Sequence, residues 1–323
     1  MFRIIPQTFK ALLLVILVTS ILLTSFIPGI GVTTSPCEDD QPFLTRQSFG
    51  STPLSSDDIA ILKKQSELEG WSFTVGENAA TQYSIDDLCG LVEPDNWWET
   101  AKFDPCEPTR ELPESFDWRV LDGVTSVKNQ GACGSCWAFG TLGPLESNIK
   151  IQDRVTVDLS EQWLVSCNTE GWGCQGGWWA HNYLQWKTDH CGGKGAVLEQ
   201  YFPYVAYNAP CNCPYPHSYF IDSWAYIGSS HSVPPTSAIK QAILEYGPVS
   251  VAVAVDSSFA AYTSGVFNNC GAAQINHAVV LVGWDDNYYW NGQYYGVWIL
   301  KNSWGTGWGE QGYMYITYGC LGV

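Results

Sequence analysis

Residues 130–139 read QGACGSCWAF, and two thiols stand three apart in them, Cys133 and Cys136. Gly134-Ser135 makes a turn that runs into an apolar-periodic segment, which places Cys136 at a helix N-terminus. Unpaired backbone N–H groups and the helix dipole favour negative charge there, so the site suits a thiolate. Three chemistries are open to the pair: a nucleophile at Cys136, a C-x-x-C redox couple, or half of a zinc site. A nucleophilic thiol also needs a base. Of the five histidines, only His277 opens an apolar strand-like run, within INHAVVLVGW at 275–284, although a histidine in that setting is more often a packed structural residue.

The elements that must position these groups follow from periodicity. After Cys136, apolar residues at Phe139, Leu142, Leu145 and Ile149 have helical spacing and bury one face. Pro144 interrupts that pattern, and a kink or an early break is expected there. LSEQWLVSCN at 159–168 reads as a short helix capped by Ser160, and GCQGGWW at 173–179 as a turn. A helix is predicted from Ser237 to about Tyr246, ended by Gly247-Pro248, with VSVAVAV following as a strand and another strand starting at Gly265-Val266-Phe267. Upstream, Ile59 to Leu68 reads as one short helix.

Composition bounds the function. The net charge of −17 argues against nucleic acid or an anionic membrane as a main partner. Arg3 and Lys10 flank an uncharged run from Ala11 through Cys37, an export segment that is either a cleaved signal peptide or a retained N-terminal anchor. Twelve cysteines point to disulfides in an oxidising space outside the cytoplasm. From Glu38 to Glu111 the chain carries 16 acidic and 5 basic residues with weak periodicity, which fits a solvated linker or a propeptide better than a catalytic unit. Between His190 and His217 lie Cys191, Cys211 and Cys213; they lack paired zinc spacing, so disulfides are expected and no metal. No cofactor is implied.

The segment CGSCW, with QGA before it, resembles the active-site signature of the papain-like cysteine peptidases. Two later stretches share the resemblance: INHAVVLVGW and WILKNSWGTGWGEQGYMYI at 298–316. His277 follows Cys136 by 277 − 136 = 141 positions, within the ~130–150 of that family. Asn302 follows by 166, the excess being taken up by an insertion-like DDNYYWNGQYYG at 285–296. The resemblance implies an α+β, papain-like two-lobed fold with a cleft between a helical and a β-rich lobe. It implies a thiolate at Cys136, His277 as acid and base, Asn302 orienting the imidazole under Trp304, and Gln130 in the oxyanion hole. By the same resemblance Gly176 and Gly177 bind substrate backbone, and Trp178, Trp179 and Ile275 line an apolar pocket, with Trp179 narrowing it.

The family pattern also suggests pairs Cys133 with Cys174, Cys167 with Cys211 or Cys213, and Cys270 with Cys320, leaving Cys191 for the remaining one. LPESFDWR at 112–119 resembles the start of a mature chain, giving 112–323 as catalytic domain and 38–111 as an acidic inhibitory propeptide. GWSFTVGENAATQYSIDDLCGLV at 70–92 looks like the short propeptides of cathepsin B-like enzymes, and its acidity suggests release when carboxylates are protonated. The paired histidines of an occluding loop are missing, which favours an endopeptidase acting on peptide and protein substrates, as a monomer. The alternative is a catalytically silent papain-like module that binds peptides.

Overall fold

A computed structural model describes residues 50–271 and 274–323, with the backbone of a strand at 12–16. The rest of the export segment 1–37, Cys37 included, and residues 38–49 lie outside the described residues.

The central element is α3, Cys136–Asp153, which runs 18 residues without a break. The early break that Pro144 could cause is absent, since the helix continues through it. Proline at 144 removes the N–H that would bond the carbonyl of Gly140, and its ring would crowd that carbonyl. Here the Ser250 hydroxyl donates to the Gly140 carbonyl instead, so the orphaned acceptor is satisfied from a neighbouring strand. Gly140 also lacks a Cβ, which would lie 3.0 Å from both Ala278 and the Trp179 ring. Nor does the helix bury one face only: Cys136 to Leu142 and Pro144 to Ile149 are all buried, because α3 lies between the two halves of the fold.

Around it, the strands are β1 (Leu12–Ile16), β2 (Phe73–Val75), β3 (Phe103–Asp104), β4 (Ser115–Asp117), β5 (Ser223–Ile227), β6 (Val249–Val253), β7 (Tyr262–Phe267), β8 (His277–Trp290), β9 (Gln293–Lys301) and β10 (Tyr313–Thr317). Their order is β2-β7-β10-β9-β8-β6-β1-β5-β3, with β4 on β8. Strand β1 lies parallel to both β5 and β6, with Val15 opposite Tyr226 and Ser250. The insertion-like stretch is the end of a long β8–β9 hairpin, turned by Asn291 and Gly292 at φ 47° and 87°. Both residues need the left-handed region, and Asn-Gly is the pair that adopts it most readily.

Two apolar cores flank α3. On the β side, Trp284, Trp298, Trp304 and Trp308 pack with Phe259 and Phe267 under helix α6 (Thr236–Tyr246). On the helical side, Trp137, Leu145, Trp163 and Tyr183 pack with α4 (Glu161–Cys167) and α5 (His181–Gln185). Ser160 caps α4 by accepting from the Trp163 N–H at 2.9 Å. Disulfides join Cys133 to Cys174, Cys167 to Cys211, Cys191 to Cys213 and Cys270 to Cys320. The three thiols that could suggest a metal cluster, Cys191, Cys211 and Cys213, are thus consumed in two bridges.

The segment before residue 112 is folded onto both sides. Helix α1 (Ser56–Glu69) starts at a capping box of Ser55 and Asp58 and ends at Gly70 in the left-handed region. It is a turn longer than the Ile59–Leu68 read from the sequence. After it β2 pairs antiparallel with β7, while β3 pairs parallel with β5. Between those anchors the chain, including the one-turn helix α2 (Ile85–Leu88), crosses the start of α3.

Candidate active site

Cys136 is the first residue of α3 and is fully buried. The preceding Ser135 makes no side-chain cap, so the first helical N–H groups stay available. The N–H groups of Gly90, Ala278, Trp137 and Cys136 itself all stabilise a thiolate, but burial outweighs them and pushes the thiol up to about 11. In this state Cys136 is a thiol.

His277 opens β8, whose next residue, Ala278, faces that sulfur. The imidazole Nε2 lies 2.8 Å from Asn302 Oδ1, and Trp304 packs against the ring at 4.7 Å, tilted by 34°. Asn302 is fixed in turn: its N–H donates to the Gly312 carbonyl, and its Oδ1 also accepts from the Ser303 N–H. Burial lowers His277 to about 4, against the pull of the Asn302 side chain and the Leu88 carbonyl. The imidazole is therefore neutral in this state near neutral pH.

Gln130 is fully buried with its amide spent on three groups. Its Nε2 donates to the Leu88 and Cys133 carbonyls, both at 2.8 Å, and its Oε1 accepts from Ser303 Oγ at 2.7 Å. Ser303 is a positioning residue that sequence reading missed, although it sits between Asn302 and Trp304 in the third motif. Tyr204 is another: its hydroxyl donates to the Gln130 carbonyl at 2.8 Å and lies 2.6 Å from Ser135 Oγ.

Residues 88–92 cover this constellation. The Leu88 carbonyl takes the Gln130 amide, and the Gly90 N–H points at the Cys136 sulfur from 3.3 Å. Then a strand-like pairing begins. Gly177 N–H donates to the Gly90 carbonyl, and Val92 N–H donates to the Gly177 carbonyl, both at 2.9 Å; the Leu91 N–H donates to Asn276. Leu91 runs parallel to Gly177. Close approach explains the glycines: a Cβ on Gly177 would sit 2.7 Å from the Trp137 ring, and one on Gly90 would sit 1.8 Å from the Gly134 carbonyl oxygen. Gly176, at φ 130°, supplies the turn into this contact.

Leu91 is buried in one apolar cluster with Ile275, Ala278, Trp178 and Trp179. Trp178 holds the Tyr226 hydroxyl through Nε1 at 3.3 Å and packs on Trp97 of the covering segment at 6.1 Å. Trp179 is turned toward α3, against the bare face of Gly140. Thus the geometry brings together Cys136, His277, Asn302, Trp304 and Gln130 on one side of Leu88–Val92, with Gly177, Trp178 and Ile275 on the other.

The profile of papain family cysteine proteases matches residues 112–321. The chain belongs to the papain family of cysteine proteases. Cathepsin S of Bos taurus is 34% identical over 255 residues, covering 75% of this chain and 72% of that protein. A cysteine proteinase of Trypanosoma brucei brucei is 39% identical over 212 residues, and the match spans only 45% of that longer protein. In three dimensions the chain resembles procathepsin L2 from the larval midgut of Tenebrio molitor, with a TM-score of 0.66 and 30% identity over 84% of this chain and 93% of that one. That neighbour is a proform, and the shared coverage extends beyond a mature domain. A papain-like, two-lobed α+β fold, a thiol protease and a zymogen form are the properties these likenesses establish. Four disulfides fit an oxidising compartment. No helix among the described residues is long and apolar enough to cross a membrane.

One charged cluster was also missed. Lys128 bridges Glu146, Asp158 and Glu161 beneath α3, and Glu146 and Glu161 are almost completely buried. Lys301, the residue before Asn302, donates to the Thr125 carbonyl beside them. Burial raises Glu161 to about 8 and lowers Lys301 to about 8.

Proposed function

We propose that this chain is the self-inhibited zymogen of an exported cysteine endopeptidase, with 38–111 as the inhibitory propeptide and 112–323 as the catalytic domain. The observation that carries this reading is the seat of Leu88–Val92: one carbonyl on Gln130, one N–H on the Cys136 sulfur, and a two-bond ladder on Gly177. A segment so placed excludes substrate from every group the chemistry needs.

Once it leaves, solvent returns to the cleft and the burial that holds Cys136 as a thiol and His277 neutral is relieved. The helix N-terminus and a nearby imidazolium then favour the thiolate. The thiolate attacks the peptide carbonyl, and the oxyanion takes donors from the Cys136 N–H and Gln130 Nε2, the amide that Leu88 occupies in the zymogen. His277 passes its proton to the leaving amine, then removes one from the water that hydrolyses the thioester. Asn302 keeps the ring aligned and Trp304 shields their hydrogen bond. Gly176 and Gly177 hold substrate backbone, and Trp178 and Ile275 favour an apolar residue in the adjacent pocket, Trp179 being turned away toward α3. The substrates are peptides and proteins, and the enzyme acts as a monomer without cofactor.

The test is a comparison of the full chain with its Cys136→Ala variant under reducing, acidic conditions. The full chain is expected to shed the segment before Leu112 and then hydrolyse an internally quenched peptide. The variant is expected to do neither, and hydrolysis at an undiminished rate by the variant refutes the reading.

A further inference from the structure

Three cysteines carry no bridge among the described residues: Cys89, Cys106 and Cys136. Cys106 is buried in the core beside Asp104, away from the cleft. The other two meet in it. Because the Gly90 N–H reaches the Cys136 sulfur at 3.3 Å, the Cα of Cys89, two bonds from that nitrogen, lies within about 6 Å of the same sulfur. Cys89 is half-buried as a residue, its side chain packs against the β-side core, and burial together with the nearby Cys136 raises its thiol well above the ordinary range while the cleft is closed.

The backbone on both sides of Cys89 is held. Its own N–H donates to the Ile85 carbonyl at 2.8 Å, the Leu88 carbonyl is bound by Gln130, and Gly90 is pressed against Gly134 too closely for any side chain. The segment thus cannot place another residue over Cys136 without breaking those contacts. Closing a bridge requires rotation about the two Cα–Cβ bonds and a shift of the loop that carries the sulfurs to bonding distance.

We propose that Cys89 and Cys136 form a disulfide in the zymogen, a covalent latch between propeptide and nucleophile that a thiol reductant must open. It rests on the reading of Cys136 as the nucleophile. The oxidant is a low-molecular-weight disulfide such as glutathione disulfide. When the segment lifts and exposes it, the Cys89 thiolate attacks one of its sulfurs, breaking that S–S bond and releasing one glutathione. The Cys136 thiolate then attacks the Cys89 sulfur and releases the second. Two protein thiols are oxidised to one disulfide, and one glutathione disulfide is reduced to two glutathione thiols, with each leaving thiolate taking up a proton. The reverse exchange with a reducing thiol returns Cys136 free.

This latch adds a second condition to activation. Acid can loosen the segment, but a bridged segment cannot leave. Processing would therefore need acid and a reductant together, which confines activity to compartments that supply both.

The experiment uses the full-length zymogen, treated with glutathione disulfide, blocked with iodoacetamide, digested without reduction and analysed by mass spectrometry. The expected product is a Cys89–Cys136 linked peptide, lighter by two hydrogens than the two thiol peptides. The oxidised zymogen is expected to stay unprocessed at acid pH and to gain at least about tenfold in processing rate when reductant is added. Alkylated Cys136, Cys136 carrying glutathione, or Cys89 bridged to Cys37 or Cys106 overturns the latch. Cys89→Ser zymogen is expected to leave Cys136 open to alkylation after the same treatment; the linkage map of the natural chain stands even if that variant misfolds. A reduced, processed protein that hydrolyses peptide without ever having shown the link retires the latch alone, whereas one that hydrolyses nothing retires the peptidase reading.

Discussion

Acid should open the closed cleft, and the group that senses it is His277. In the closed state burial lowers its imidazole to about 4; once the segment lifts, an exposed imidazole returns to its ordinary value near 6.5. Between those values the open form binds a proton that the closed form does not. Stability of the closed form is therefore present above about pH 6.5 and is lost as pH falls toward 4. Moving from pH 7 to pH 5 shifts the equilibrium toward opening by about twentyfold, or roughly 1.8 kcal/mol. Among the described residues, the propeptide carboxylates are a weaker source of the effect than their number suggests. The ion pairs of Arg119, Lys128, Lys150, Lys187 and Lys240 all run to carboxylates within 112–323. The assay is hydrogen exchange at the amides of Leu91, Val92 and Gly177, corrected for intrinsic rate, in a Cys136→Ala zymogen that cannot process itself. Their protection is expected to fall by that factor at pH 5, and to become nearly pH-independent when His277→Gln is added. Equal protection at both pH values in the first protein, or an undiminished fall in the second, refutes the reasoning.

Other outcomes follow from single contacts. Gly90→Ala places a Cβ 1.8 Å from the Gly134 oxygen, so the segment should dock poorly and processing at neutral pH should accelerate at least about tenfold, seen as early loss of the propeptide on gels. Lys128→Ala leaves Glu146 and Glu161 buried without their cation, and should cost about 3–5 kcal/mol in urea unfolding. Gln130→Ala removes the proposed oxyanion donor, and kcat of the mature enzyme should fall about 10²–10³-fold with folding intact by circular dichroism. His181, buried between Trp179 and Trp224 with neither ring nitrogen hydrogen-bonded and lowered to about 3, penalises folding below about pH 6.5. His181→Phe should flatten that acid limb and raise the melting temperature most at pH 5.

What the sequence made legible is the local part of the site. Gln130, Cys136, His277 and Asn302 lie in three stretches whose residue types carry their role, and the geometry places all four at the start of α3 and β8. The covering segment was legible in kind, as an acidic piece before Leu112, but its seat was not. Contacts such as Gly90 to Cys136 or Leu88 to Gln130 join residues more than forty positions apart, and no periodicity records them. That the helix runs on through Pro144 was not legible, because the cost of the proline is local while its remedy, the Ser250 hydroxyl, comes from a distant strand. The Lys128 cluster was silent for another reason: charged residues usually mark a solvated face, and only the packing under α3 shows these to be buried.

The central claim is that Cys136 is the nucleophile and that Leu88–Val92 keeps it shielded. Labelling with an epoxide thiol-peptidase inhibitor, in reduced protein before and after acid processing, tests both halves when the modified residue is mapped by mass spectrometry. The account expects Cys136 to be unlabelled in the intact zymogen at neutral pH and fully labelled, with activity lost in step, once the segment before Leu112 is gone. Labelling at Cys136 that is equally fast in the intact zymogen, or inactivation without modification of Cys136, would contradict it.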